Sequence, residues 1–127
     1  MELTLHKPGD HNFIRSVGRD GITVKDKVYR DSLIVSADAL ISDWPVRSVD
    51  DITAAHFQGV MEMTPEVVLL GTGKRQAFLP PEIMMSFYSK GIGVEAMTTE
   101  AACRTFNVLL SEDRNAVAAL IAIREAG

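Results

Sequence analysis

Val67-Val68-Leu69-Leu70-Gly71-Thr72-Gly73 is the stretch on which the reading of this chain turns. Four consecutive apolar residues followed by turn formers suit a strand buried on both faces, the habit of parallel sheets. Gly71-Thr72-Gly73 ends that strand. Pro81 and Glu82 then open a helix, because proline tolerates the first helical position, where its missing N–H has no partner to lose. Ile83, Met84, Phe87 and Tyr88 fall on one face of this helix. Lys90-Gly91 closes it with a favourable charge and a left-handed cap. Val94, Ala96 and Met97 make a second short strand, and Thr98 or Thr99 caps a second helix running to about Leu110. The order β-α-β-α implies a partly parallel sheet with right-handed crossovers.

Upstream the pattern is β. Ile14 and Val17 precede Gly18-Arg19-Asp20-Gly21, while Ile22 and Val24 follow it, which predicts a hairpin turning at Asp-Gly. Val28 and the run Leu33-Ile34-Val35 predict further short strands beyond the polar turn Lys25-Asp26-Lys27. Trp44-Pro45 ends this section, since the residue before a proline is pushed out of helical geometry. Asp50-Asp51-Ile52-Thr53 reads as a helical turn capped by aspartate, with Ile52 and Phe57 pointing inward. Near the other end, Ala116 to Ile123 fits two states. Its alanines favour helix, and its short, wholly apolar character suits a buried strand. Propensity alone leans helical.

Composition bounds the possibilities. A chain of 127 residues suits one domain, 1–127, able to bury roughly two-thirds of its unfolded surface. An apolar share of 46% with 24% charged residues supports a packed core. The net charge is -4, from 17 acids against 13 bases, and the basic residues are scattered. Nucleic acid is therefore not expected as a partner, because its binders carry a basic stripe. Cys103 is the only cysteine, which excludes an intrachain disulfide and a four-cysteine zinc site. The longest apolar run, Ala116 to Ile123, falls far short of the about twenty residues that a membrane span needs. The first ten residues do not resemble a signal peptide. No membrane insertion and a cytoplasmic location are the expectations.

Four ordered strings carry a resemblance: Leu69-Leu70-Gly71-Thr72-Gly73, Leu79-Pro80-Pro81, Gly91-Ile92-Gly93-Val94-Glu95-Ala96-Met97, and Ala101-Ala102-Cys103-Arg104-Thr105-Phe106-Asn107. Together they resemble a family of small α/β domains of unknown function. Its eukaryotic relatives include a mitochondrial assembly factor for respiratory complex I and an adipogenesis-associated protein. The likeness extends over Ile22 to Val35, Asp51-Ile52-Thr53 and the apolar tail. It implies a mixed α/β fold in three layers: a central mixed sheet, two main helices on one face and a smaller β layer on the other. It also implies that Val117 to Ile121 is a strand. Lys25-Asp26-Lys27 departs from the Asn-Gly type of turn common in relatives. The resemblance supplies no accepted reaction.

Gly71, Thr72, Gly73, Lys74 and Arg75 form the most attractive candidate site. Ligands of open α/β sheets bind beyond the carboxyl ends of strands, and a basic pair there suits a small anionic ligand such as phosphate or carboxylate. The spacing matches neither a dinucleotide fingerprint nor a P-loop, so a tight turn with solvated bases is the plainer reading. Glu95 alternates with Val94 and Ala96 and is a candidate lining residue or a solvated charge. Cys103 lies on the flank of an apolar face set by Ala102, Phe106, Leu109 and Leu110, with Asn107 one turn further on. A nucleophilic cysteine needs a base and a lowered pKa, whereas a free cysteine is more often a small buried hydrophobe. Arg104, opposite the apolar face, is solvated or at an interface. The three histidines, His6, His11 and His56, have no metal spacing, so no metal, cofactor or catalytic set is named. Most methionines are expected in the core. Met61 and Met63, one face of an alternating pair, join Trp44-Pro45 and Phe57 as an expected apolar patch for a protein partner. The readings that result are an interaction or assembly-factor module without catalysis, and alternatively a small-anion or metabolite binder or weak enzyme using Gly71 to Arg75.

Overall fold

The computed structural model describes residues 2–5 and 11–124. Nine strands and three α-helices follow in the order β1 (Glu2–Leu5), β2 (Ile14–Gly18), β3 (Gly21–Val24), β4 (Lys27–Tyr29), β5 (Leu33–Val35), β6 (Ala39–Ser42), α1 (Gln58–Glu62), β7 (Val67–Gly71), α2 (Pro81–Tyr88), β8 (Gly93–Met97), α3 (Thr99–Ser111) and β9 (Ala116–Leu120). Two 3-10 turns, Val49–Asp51 and Ala54–Phe57, lead into α1. The central sheet runs β1-β6-β5-β9-β7-β8, and β2-β3-β4 form a separate small sheet. β7 is parallel to both β8 and β9, while the β1, β6 and β5 side is antiparallel, so the central sheet is mixed as expected. The tail is a strand rather than a helix. Its alternate residues serve two faces at once, a role that alanine can fill without crowding either.

The helices divide between those faces. β7 to β8 steps one way across the sheet, and β8 to β9 steps back past β7. Right-handed crossovers travelling in opposite directions place their helices on opposite sides. Accordingly Ile83 and Phe87 of α2 pack with Phe57, Val60, Val68, Leu70, Val117 and Ala119. Ala102, Cys103 and Phe106 of α3 pack with Ile14, Ile22 and Val24 of the small sheet and with Leu69, Ala118 and Leu120. The mixed α/β class, the central sheet and the smaller β layer match the expectation. The placing of both main helices on one face does not, because α3 shares its face with the small sheet.

Local chemistry explains the joints. Asn107 on α3 accepts from the Ile14 N–H at 2.9 Å and donates to the Ile14 carbonyl at 2.8 Å, acting as an extra strand partner for β2. The β2–β3 hairpin turns at Arg19-Asp20, with Gly18 opposite Gly21. The β3–β4 turn uses Lys25-Asp26, where Lys25 has φ 57°. In the segment before α1, Asp51 does not cap its turn from the front. It reaches back from within, accepting from the Arg47 and Ser48 N–H groups at 3.2 Å each. Trp44 folds under this segment and donates from Nε1 to the His56 carbonyl at 2.9 Å. Trp44 and Phe57 are core residues, 2% and 1% exposed, and Met61 and Met63 are half-buried against them. The apolar patch expected there is thus mostly interior.

Candidate functional site

The carboxyl ends of β7, β8 and β9 meet around Gly71 to Gly73. Gly71 sits where a Cβ would come within 2.8 Å of Thr99 Oγ1 and 2.9 Å of Thr99 Cα, so only glycine lets α3 begin this close to the sheet. Gly73 takes φ 98°, a conformation that side chains other than glycine rarely adopt. Thr99, the first residue of α3 and fully buried, joins the ends of two strands. Its hydroxyl donates to the Ile121 carbonyl at 2.6 Å and accepts from the Gly73 N–H at 2.8 Å. Its own N–H donates to the Gly73 carbonyl at 2.9 Å. The Thr72 N–H donates to the Met97 carbonyl at 2.8 Å, and its hydroxyl lies 2.7 Å from the Arg75 carbonyl and 3.0 Å from that of Met97. Thr98 is the cap of α3, accepting from the Ala101 N–H.

This network decides what the turn can do. The Thr72 and Gly73 N–H groups, which would cradle an anion in a phosphate-binding loop, are consumed by the protein itself. The turn is a weld between strands and helix. Of the basic pair that follows, Lys74 and Arg75 are both exposed, and Lys74 lines a cleft of about 340 Å³ with Val17, Gly18, Arg19, Glu100, Ile123 and Arg124. Glu95 is exposed on β8, the outer strand, and does not line that cleft. Beside it the Gln76 side chain reaches the Ala96 carbonyl at 3.4 Å. The candidate residues are therefore not one constellation.

The α3 candidates separate as well. Cys103 is 2% exposed and inside the α3 core, not on its flank. The small sheet packs on α3 and widens the arc of helix that is covered. Burial pushes the Cys103 thiol up to about 12, with the nearby Arg104 charge pulling weakly the other way. A thiol this hard to ionise is a poor nucleophile. Arg104 is exposed and pairs with Glu100 one turn back at 2.8 Å. Asn107 is occupied by Ile14. His56 accepts from the Thr53 N–H through Nδ1 at 2.9 Å, and His6 lies outside the described residues. Among the described residues no group of histidine, cysteine or carboxylate side chains could hold a metal ion, and no helix is long and apolar enough to cross a membrane. Thr99 is the site residue that sequence reasoning undervalued. The pair Thr98-Thr99 signalled a cap, but nothing in it signalled a buried hydroxyl between strands.

Comparison with known proteins gives the chain its relatives. It is 32% identical over 88 residues to a 13 kDa major membrane protein of Francisella tularensis subsp. holarctica, covering 68% of this chain and 72% of that protein. It is 40% identical over 83 residues to NADH dehydrogenase [ubiquinone] 1 alpha subcomplex assembly factor 3 of Bos taurus. That match covers 64% of this chain and 45% of the bovine protein, so the chain spans under half of that relative's length. A crystal structure of a Bordetella parapertussis protein superposes with a TM-score of 0.84 at 36% identity, covering 91% of this chain and 99% of that one. Residues 14–121 match a family profile that takes in both sheets from β2 onward and all three helices. The chain belongs to this family, the proteins of unknown function DUF498/DUF598.

Proposed function

We propose that this domain is an interaction module of the assembly-factor kind, without catalysis of its own, and that it docks a protein partner on the outward side of α2. The carrying observation is what α2 exposes. Met85 and Tyr88, three residues apart and so neighbours on one helical face, are 62% and 49% exposed. Phe78, three residues before the helix, is 84% exposed. Large apolar side chains grouped about one short helix mark a protein contact more often than scattered ones do. Methionines are expected mostly in the core, and the exposure of Met85 moves the candidate interface from Met61 and Met63 to α2.

Two further observations support the reading. The vertebrate relatives are named as assembly factors for NADH dehydrogenase. The groups most suited to chemistry, Cys103, Thr72 and Asn107, are tied up in holding the fold together. A subunit of NADH dehydrogenase is accordingly the partner to look for. Cross-linking in the host cell followed by mass spectrometry tests this, comparing the native chain with Met85→Glu and Tyr88→Ser variants of unchanged melting temperature. Cross-links to such a subunit that vanish in the variants are the expected result. Cross-links retained in both variants, or none in the native chain, would overturn the proposal.

A further inference from the structure

The cleft beside Lys74 is unlike the rest of this acidic molecule. Its charged lining is Arg19 from the tip of the β2–β3 hairpin, Lys74 from the turn after β7, Arg124 beyond β9, and one acid, Glu100. Three cations and one carboxylate line it in a chain whose net charge is -4, with Arg19 engaged in an interaction of its own, so Lys74 and Arg124 are the cations that matter. Glu100 is held by Arg104 at 2.8 Å, so part of its charge is neutralised from outside the cleft. Arg124 is anchored by Asp31 at 3.3 Å, which steadies its guanidinium at the rim while leaving other donors open. Lys74 has no ion-pair partner among the described residues. Val17 and Ile123 supply apolar wall.

We propose that this cleft binds a small organic oxyanion, a carboxylate or phosphate monoester on a compact apolar body, with Lys74 and Arg124 contacting the charged head. Its place agrees with the general rule that ligands of α/β sheets sit beyond the carboxyl ends of the parallel strands, here β7 and β9. The recognition differs from a phosphate-binding loop in one respect. The N–H groups of Thr72, Gly73, Thr99 and Ala101 already have acceptors, so the cationic side chains carry the main contact with the anion. Arginine offers a planar fork that matches either head, and lysine a mobile point charge. A volume of about 340 Å³ accommodates a body of several heavy atoms besides the head. The cleft involves no residue of the α2 face, so the two surfaces can fail separately.

Titration calorimetry at low salt with phenyl phosphate and with benzoate tests the site on the full chain. Saturable binding of either is expected, tighter for the head that the cleft is built to hold. Lys74→Ala and Arg124→Ala should each weaken it about tenfold, the scale of one charge-assisted hydrogen bond. Lys90→Ala, at the end of α2, should leave it unchanged. The Lys74 side chain is exposed, so a melting temperature within error of the native chain is expected and separates lost binding from lost folding. Absence of saturable binding by both probes, or equal affinity in the Lys74→Ala and Arg124→Ala variants and the native chain, would refute the site.

Discussion

Thr99→Val keeps the shape of a buried β-branched side chain and removes its hydroxyl. The Gly73 N–H and the Ile121 carbonyl would then be left in the interior without their partner. Each stranded backbone group costs about 1–3 kcal/mol, so a loss of about 2–4 kcal/mol in urea unfolding is expected. Thr98→Ala removes only a cap bond and should cost about 1 kcal/mol. Equal losses for the two would show that Thr99 is no more than a second cap. Cys103 makes a different prediction at this scale. Its folded-state pKa, raised to about 12 from an ordinary 9.0, lies above that of the unfolded chain. Below about pH 9 both states keep the proton, and this thiol gives stability no pH dependence. As pH rises from about 9 towards 12 the unfolded state loses its proton first, so stability falls. Cys103→Ala should flatten that part of the stability curve relative to the native chain. A thiol reagent should label native Cys103 slowly, and rapid labelling would contradict its burial.

At the scale of elements, β7 shows how far a sequence can be read. Four apolar residues ending at a glycine were enough to place a strand inside the sheet, with a neighbour on each side, because burial on both faces leaves no polar position in the pattern. Leu69→Ala should accordingly cost about 2–5 kcal/mol, measured by chemical unfolding, and a near-neutral result would be incompatible with its full burial. The β9 strand was not legible from its residues. Alanine favours helix when nothing packs on it, but between two layers its small volume becomes the deciding property, and tertiary contact overrides propensity. α3 shows the same limit in another form. Its cap, its span and Phe106 were readable, yet the width of its buried face depends on β2 lying against it, which local periodicity does not encode. Trp44-Pro45 and Phe57 enter the expected apolar patch through their nearness in sequence to Met61 and Met63. The two 3-10 turns fold this segment over the sheet instead.

For the whole molecule, the candidate site was legible in part. The Gly71 to Gly73 turn stands out because glycines directly after a buried strand mark the point where the chain leaves the sheet. That it is welded shut by Thr99 depends on a residue 26 positions away, and no spacing rule reaches that far. The grouping of Lys74 with Arg19 and Arg124 is likewise a product of chain reversal. The hairpin tip, the turn after β7 and the segment after β9 arrive at one end of the molecule only because the small sheet shares a face with α3.

The position of β8 has a consequence for how copies of this protein behave at high concentration. β8 is the last strand of the central sheet, with one side paired to β7 and the other facing outward, and Glu95 stands exposed at its middle. An open edge of apolar strand is a template on which another chain can polymerise, and an ionised side chain at its centre is a common deterrent. Two such edges meeting antiparallel about their centres would bring two Glu95 carboxylates face to face. Glu95→Val would turn the strand into Gly-Val-Val-Ala-Met with no charge on it. Light scattering should then show concentration-dependent aggregates at neutral pH that the native chain does not form, while the melting temperature stays nearly the same. A variant that scatters no more than the native chain would show that Gln76, reaching over the Ala96 carbonyl, is guard enough. Glu95 then matters for what it keeps away.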